Sequence, residues 1–334
     1  DLMGSYDSIG SVINDRNVVS NENLHEVLNI LSEIVNLELV SAVFMPVYEQ
    51  MVSPMFEGMD ESLKAFTDLS DYGTELVIED LNSIIEILHN VVDFNTLGIL
   101  LDDDLIDWNN TDPIVKSIET LFALNVLEVK LDDILAYVTE NVYDISVIEA
   151  SQIDLAADGV LLAEAVRIIM SEILAKGIID LERGTDFNNL SINISDFLEK
   201  DALHAILDAV EKVFETSLVR AGLYFVIEKH AEFVPEQFAF IFETGITAEL
   251  LQEDLISIVD ILREVVYSGA YRILLEETVL IEGLSEHVIN ILDEILHLNI
   301  LAIDMPFIMH NVFKMVGIEV SEEVLAKVNY EADF

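Results

Sequence analysis

One apolar stripe, returning seven times, constrains this chain more than any other feature. Counted from its first residue, the stripe places apolar side chains at positions 0, 3, 4, 7 and 8. It reads Val27, Ile30, Leu31, Ile34, Val35, and returns as Ile84, Ile87, Leu88, Val91, Val92. A third copy is Ile114, Ile118, Leu121 and Phe122, with Ser117 in the gap. Then come Val166, Ile169, Met170, Ile173, Leu174 and Ile206, Ala209, Val210, Val213, Phe214. The last two are Ile258, Ile261, Leu262, Val265, Val266 and Val288, Ile291, Leu292, Ile295, Leu296. This spacing follows one face of a 3.6-residue helix and not the alternation of a strand.

A turn signal travels with the stripe. Eleven residues after its start stand Glu38, Asn95, Asn125, Gly177, Ser217, Gly269 and Asn299. Gly and Asn tolerate the left-handed conformation that closes helices. Six residues further stand Phe44, Leu101, Leu131, Arg183, Leu223, Leu275 and Met305, six of them apolar. Each unit therefore reads as helix, short turn and a second apolar segment folding back, an αα-hairpin. A single hairpin cannot bury such a stripe, so neighbours must supply the cover. The expected fold is all-α: stacked antiparallel helical hairpins in an α-solenoid-like array, with stripe residues such as Leu88 and Leu262 hidden from water.

The stripes start at 27, 84, 114, 166, 206, 258 and 288, too irregular for tetratricopeptide or ankyrin periods. The order of spacings nevertheless repeats. A shift of 174 residues brings Glu75-Leu76 onto Glu249-Leu250, Glu79-Asp80-Leu81 onto Glu253-Asp254-Leu255 and Leu124-Asn125 onto Leu298-Asn299. Nine of the 14 positions from Glu75 to Leu88 are identical under it. That predicts an ancestral duplication, with a tail or remnant of a preceding repeat at 1–20, a first super-repeat at 21–183 and a second at 184–334. The polar run Gly184–Asn189 marks the boundary, with Ser195 and Asp196 offered as the next helix cap. Asn109-Asn110-Thr111-Asp112-Pro113 reads as a turn entering a helix, with Pro113 near its first position.

Composition narrows the partners. The 64 acids against 15 Lys and Arg give a net charge of -49. Such a surface repels phosphates and anionic lipid, which excludes nucleic acid, and attracts divalent cations and basic protein surfaces. It predicts life where salt or divalent ions screen self-repulsion; halophily is the second explanation for the acidity. There is no cysteine, so disulfides and thiolate metal sites are impossible. No uncharged apolar run reaches the roughly 18 residues of a membrane helix. The opening Asp1-Leu2-Met3-Gly4 reads as a processed chain or an excerpt of a longer one.

Chemistry-bearing motifs are few. The acids Asp102, Asp103, Asp104 and Asp107, with Asn109 and Asp112, form the densest oxygen cluster and the candidate site for weakly held Ca²⁺ or Mg²⁺. No Asp-x-Asp-x-Asp-Gly loop accompanies it, and a solvated acidic helix end explains it as well. The histidines His25, His89, His204, His230, His287, His297 and His310 stand singly, with no His-Glu-x-x-His pair. There is no Gly-x-Ser-x-Gly elbow, phosphate-binding loop or dinucleotide fingerprint. The expectation is therefore a non-enzyme, with no catalytic or cofactor residue. Trp108 reads as a lid over a hairpin end, and Asn109, Asn189 and Asn193 open glycosylation sequons in predicted loops.

The Ile/Leu-rich hairpins with Asn or Gly turns, over roughly residues 21 to 316, resemble the helical repeats in long acidic surface proteins of low-GC bacteria, including wall-less ones. That resemblance implies cell-surface display and a structural or adhesive role, as a surface-layer, filament or adhesin-like subunit, and carries over no site residue. The partners it leaves are protein: self-association or a basic surface. A second reading is an acidic scaffold that captures a basic protein or divalent cations.

Overall fold

The computed structural model describes residues 20–56, 69, 72–94, 107–139, 152–181, 190–192, 194–228, 242, 245–275, 284–303, 305–315 and 318–328. These residues are predominantly helical, and all seven stripes lie in helices. The chain divides into two compact units, 1–197 and 198–334.

In the first unit α1 spans Asn21–Val35, capped by Ser20, whose hydroxyl accepts from the Asn23 amide at 3.2 Å. α2 spans Glu38–Val47, with Pro46 inside it, and runs on into a π turn at Tyr48–Val52. A proline lacks the N–H that the regular ladder needs, so a change of helical register just beyond it is expected. α3 is Thr74–Asp93 and α4 is Asp112–Phe122, entered through Pro113 as the sequence predicts. Two short helices follow, α5 at Asn125–Val129 and α6 at Leu131–Ala136. α7 spans Leu155–Ile168 and continues as a π segment to Leu174. The helices pack in series: α1 against α3, α3 against α4, α4 against α7. Gly159 sets the last of these contacts. A Cβ there would stand 2.5 Å from the Phe122 Cβ, so only glycine permits this approach.

Two three-residue strands, β1 at Ile179–Leu181 and β2 at Leu190–Ile192, pair antiparallel with Ile179 opposite Ile192. The sequence reading had no strands here and placed the boundary between 183 and 184. The pairing ties residues beyond that break to the first unit, and the division falls after α8, Ile194–Phe197. Ser195 and Asp196 consequently lie within α8 and do not cap the following helix, which starts at Lys200.

The second unit comprises α9 (Lys200–Phe214), α10 (Ser217–Glu228), α11 (Ala248–Ser268), α12 (Leu284–Leu296), α13 (Asn299–Ile303), α14 (Met305–Met315) and α15 (Glu322–Leu325). α11 is its centre: α9, α10, α12 and α13 all pack on it.

The buried seam is not the line that the stripe suggests. Leu88 is 42% exposed and Leu262 44%, against the expectation that both are hidden. Val27, Leu31, Ile84, Ile258, Val288 and Leu292, at the same positions in four of the seven stripes, are exposed too, whereas Met170 of the fourth stripe is buried. In four helices the residue one position on is buried, Leu28, Ile85, Val115 and Val259; of the stripe residues themselves Val92, Met170, Ile173, Ala209 and Val266 are buried. At about 100° per residue the first four lie roughly a quarter-turn round from the crest. A helix clamped between two neighbours buries its flanks, and the middle of one broad apolar stripe is left between them. Leu28, Ile85 and Val92 form one such flank contact between α1 and α3, with Leu24 and Val35 packed beside them.

The turns also differ from expectation. Gly177 and Gly269 do adopt the left-handed conformation, at φ 68° and 77°. Asn125 and Asn299 do not close helices; each is the first residue of the next one. The bend before Asn125, and the one before Glu38, is made by the preceding leucine: Leu124 and Leu37 are extended, at ψ 127° and 135°, between two helical segments. Asn95 lies outside the described residues.

The displaced seam makes a direct prediction. Ile85→Ala should lower the stability of the chain by about 2–5 kcal/mol, and Leu88→Ala by less than about 1 kcal/mol. Urea denaturation of both variants checks this; equal losses would put the crest back in the core.

Candidate functional site

The polar groups with the strongest geometry sit on the two central helices. Asp80 of α3 is only 5% exposed and Asp254 of α11 only 3%. A buried carboxylate needs hydrogen-bond donors, and a helix start has unpaired N–H groups to offer. Asp80 Oδ1 accepts the Asn125 amide at 2.8 Å and Oδ2 the Val126 amide at 2.8 Å, capping α5 from a neighbouring helix. Asp254 does the same for α13, from the Asn299 amide at 2.6 Å and the Ile300 amide at 2.9 Å. The asparagine side chains add Asn125 Nδ2 to Glu79 at 3.4 Å and Asn299 Nδ2 to Glu253 at 3.0 Å. Each latch has the same glutamate, aspartate and asparagine, 174 apart, with Ile300 in the place of Val126. Its sequence signal was the pair of identities Glu79-Asp80 with Glu253-Asp254 and Leu124-Asn125 with Leu298-Asn299; spacing alone did not disclose that they touch.

Each central helix also grips the turn of the hairpin before it. In the first unit Asn82 bonds Ser32 at 3.1 Å and exchanges carboxamide bonds with Asn36 at 3.0 and 3.1 Å. In the second, Gln252 Nε2 donates to the carbonyls of Phe214 at 2.6 Å and Thr216 at 2.8 Å. The Asp80 latch has one further member. Tyr72 is buried and donates its hydroxyl to Asp80. Burial first, and the bond to Asp80 second, push its ionisation well above the ordinary tyrosine value.

The second unit holds a polar cleft of about 420 Å³, lined by His204, Asp260, Arg263, Glu264, Tyr267, Asn290, Asp293 and Glu294. Arg263 pairs with Asp208 and Asp260, both at 2.7 Å, and with Glu211. The bond from Arg263 holds the Glu211 carboxyl below its ordinary range. His287 contacts Glu264 at 2.9 Å and Asn290 donates to the same carboxylate at 3.2 Å. The hydrogen bond from His287 is the main cause that keeps Glu264 below its ordinary value. Lys200 Nζ sits 5.6 Å from the centre of the Tyr267 ring. The cleft is thus an acidic wall organised round one guanidinium, suited to hold cations and not anions.

The first unit carries a different polar cluster at its α1–α3 contact. His25 Nδ1 and His89 Nδ1 stand 2.6 Å apart, and His25 Nε2 lies 3.0 Å from Asp93 Oδ1. In the sequence both histidines stand singly, because they are 64 positions apart and no local motif joins them.

Of the acids singled out from the sequence, Asp102, Asp103 and Asp104 lie outside the described residues. Asp107 is exposed and accepts the Asn109 amide at 3.1 Å, while its carbonyl accepts the Asn110 amide at 3.0 Å, so it shapes a local turn. Among the described residues no group of three or more His, Asp or Glu is placed to hold a metal ion. Of the sequons, Asn109 is exposed; Asn189 and Asn193 lie outside the described residues. Among the described residues no single helix is long and apolar enough to cross a membrane, and only α1 with α2 and its continuation to Met55, bent by 78°, passes that test as a pair.

Replacing Asp254 with alanine should cost about 2–4 kcal/mol, the net value of hydrogen bonds to a buried charge. Hydrogen exchange reads it directly: the Asn299 and Ile300 amides should lose protection, and unchanged protection would show that the latch does not hold α13. Acid tests the cleft. Because Glu211 is depressed in the folded state, its stabilisation is present above the ordinary glutamate value of about 4.3 and fades as pH falls below it. The gap in melting temperature between wild type and Arg263→Met should therefore be widest above about pH 5 and narrow in acid. Compared with known proteins, the chain matches no family model, no curated protein and no solved structure.

Proposed function

We propose that the chain is a non-enzymatic structural or interaction segment of a cell-surface protein, built as an array of stacked helical hairpins that was duplicated after 174 residues. The observation that carries this reading is the recurrence of one tertiary latch. Asp80 with Asn125 and Val126, and Asp254 with Asn299 and Ile300, repeat the same buried hydrogen bonds at the same shift that aligns the sequence. Convergence on matching residues, partners and spacing is a poor alternative to common descent. The serial packing of α1, α3, α4 and α7, each against the next, is the pattern expected of a hairpin array. Rows of exposed apolar crest residues give such an array a surface for contact with protein, and the strong negative charge favours display where ions screen it. A surface-layer, filament or adhesin-like subunit uses both properties.

The experiment is localisation with microscopy. Antibodies to the full chain should label intact, unpermeabilised cells, and purified protein should form ordered polymers once salt or Ca²⁺ screens its charge. A cytosolic signal with a monodisperse particle at every ionic strength would end the proposal.

The acid-lined cleft of the second unit supports one further reading, a scaffold that captures a basic protein or divalent cations. A Lys/Arg-rich peptide should then bind with an affinity that falls steeply with salt, and Arg263→Met should alter it.

A further inference from the structure

We propose that His25 and His89 form a seat for one divalent transition-metal ion of the Zn²⁺, Ni²⁺ or Cu²⁺ type, held between their Nδ1 atoms. The ring geometry is the first observation. The two imidazoles are coplanar within 8° and their centroids are 4.9 Å apart. With the nitrogens 2.6 Å apart, that separation leaves little more than one ring radius on each side, so the rings meet edge to edge. Edge-to-edge meeting aims the Nδ1 lone pairs at a common point, where a proton or a metal ion sits. An ion on the line between the two nitrogens, about 2.05 Å from each, sets them about 4.1 Å apart; turning the rings toward a tetrahedral angle lowers that to about 3.3 Å, so the α1–α3 contact opens and the rings rotate to admit it.

The second observation is Asp93. Its carboxylate takes the far nitrogen of His25, Nε2, at 3.0 Å. A carboxylate on the distal N–H fixes the tautomer that leaves Nδ1 free as a lone pair, which is how metal-binding histidines are commonly oriented. The His25 side chain is 30% exposed, so the seat opens to solvent.

Charge is the third. α1 and α3 together carry the acids Glu22, Glu26 and Glu33, then Glu75, Glu79, Asp80, Glu86 and Asp93, and no lysine or arginine. The second unit meets the same situation with a cation of its own. Arg263 stands where the 174-residue shift places His89, and His204 precedes its stripe start by two residues as His25 does. Arg263 neutralises Asp208, Glu211 and Asp260. In the first unit an imidazole replaces that guanidinium, and a bound ion supplies the missing positive charge. Imidazole selects borderline transition metals over the Ca²⁺ and Mg²⁺ that carboxylates prefer. The two rings are the only His, Asp or Glu ligands that the described residues bring to the ion, so its other coordination positions fall to solvent or to a ligand from a partner.

Cu²⁺ added to the full chain in excess Ca²⁺, which occupies the surface acids, tests this. One equivalent should bind, with an electron paramagnetic resonance spectrum showing two imidazole nitrogens. Zn²⁺ should raise the melting temperature under the same conditions. His25→Gln and His89→Gln should each abolish the two-nitrogen signal at unchanged helix content, and Asp93→Asn should weaken binding about tenfold or more. A wild-type spectrum without paired imidazole nitrogens, or equal binding by the double His→Gln variant, would overturn the proposal. The wild-type spectrum decides even if a variant fails to fold.

Discussion

A buried carboxylate that takes the amides of a neighbouring helix start holds each unit in register. Asp80 and Asp254 cannot sit in an apolar interface without donors, and α5 and α13 cannot begin there without acceptors. Each need meets the other. Because the bonds run to backbone, they fix the path of the chain, where a side-chain contact would fix only a rotamer. The central helix then becomes a ruler: two residues after the aspartate, Asn82 holds the bend of the hairpin before it, and in the second unit Gln252, two residues before the aspartate, does so.

From this follows the packing. Helices clamped on both flanks bury Ile85 and Val92, or Val259 and Val266, and present a ridge of aliphatic side chains between the flanks. The same arrangement gathers polar residues where the first helix of each unit crosses the central one. There the units have taken different chemistry: paired imidazoles with Asp93 in one, and a guanidinium among carboxylates in the other. Divergence at an equivalent position marks these crossings, and not the loop acids, as the places where the units differ in what they can hold.

Helix positions were legible because a periodic stripe is a local signal, and every stripe proved helical. Which line along the stripe is buried was not, because periodicity locates an apolar face and cannot say whether one neighbour or two will press on it. Leu88 and Ile85 are both aliphatic; only packing separates them. The turns were half legible. Glycine at 177 and 269 announces a left-handed residue, while Leu37 and Leu124 bend in an extended conformation open to any residue, so they leave no compositional mark. β1 and β2 are three residues each, too short for alternation to register. The identities 174 residues apart lie in plain view as Glu-Asp-Leu and Leu-Asn, yet the contact they make, a carboxylate on two amides, belongs to tertiary structure.

Tyr72 separates the two units in one more way. Its hydroxyl hydrogen completes the Asp80 latch, whereas Ile246 occupies the position that the same shift assigns in the second unit. A phenol that resists ionisation when folded and releases its proton when unfolded withdraws its contribution to the first unit from about pH 10 upward. The hydrocarbon in the second unit has no proton to give. At this position the two units thereby differ in their response to base by a single aromatic oxygen.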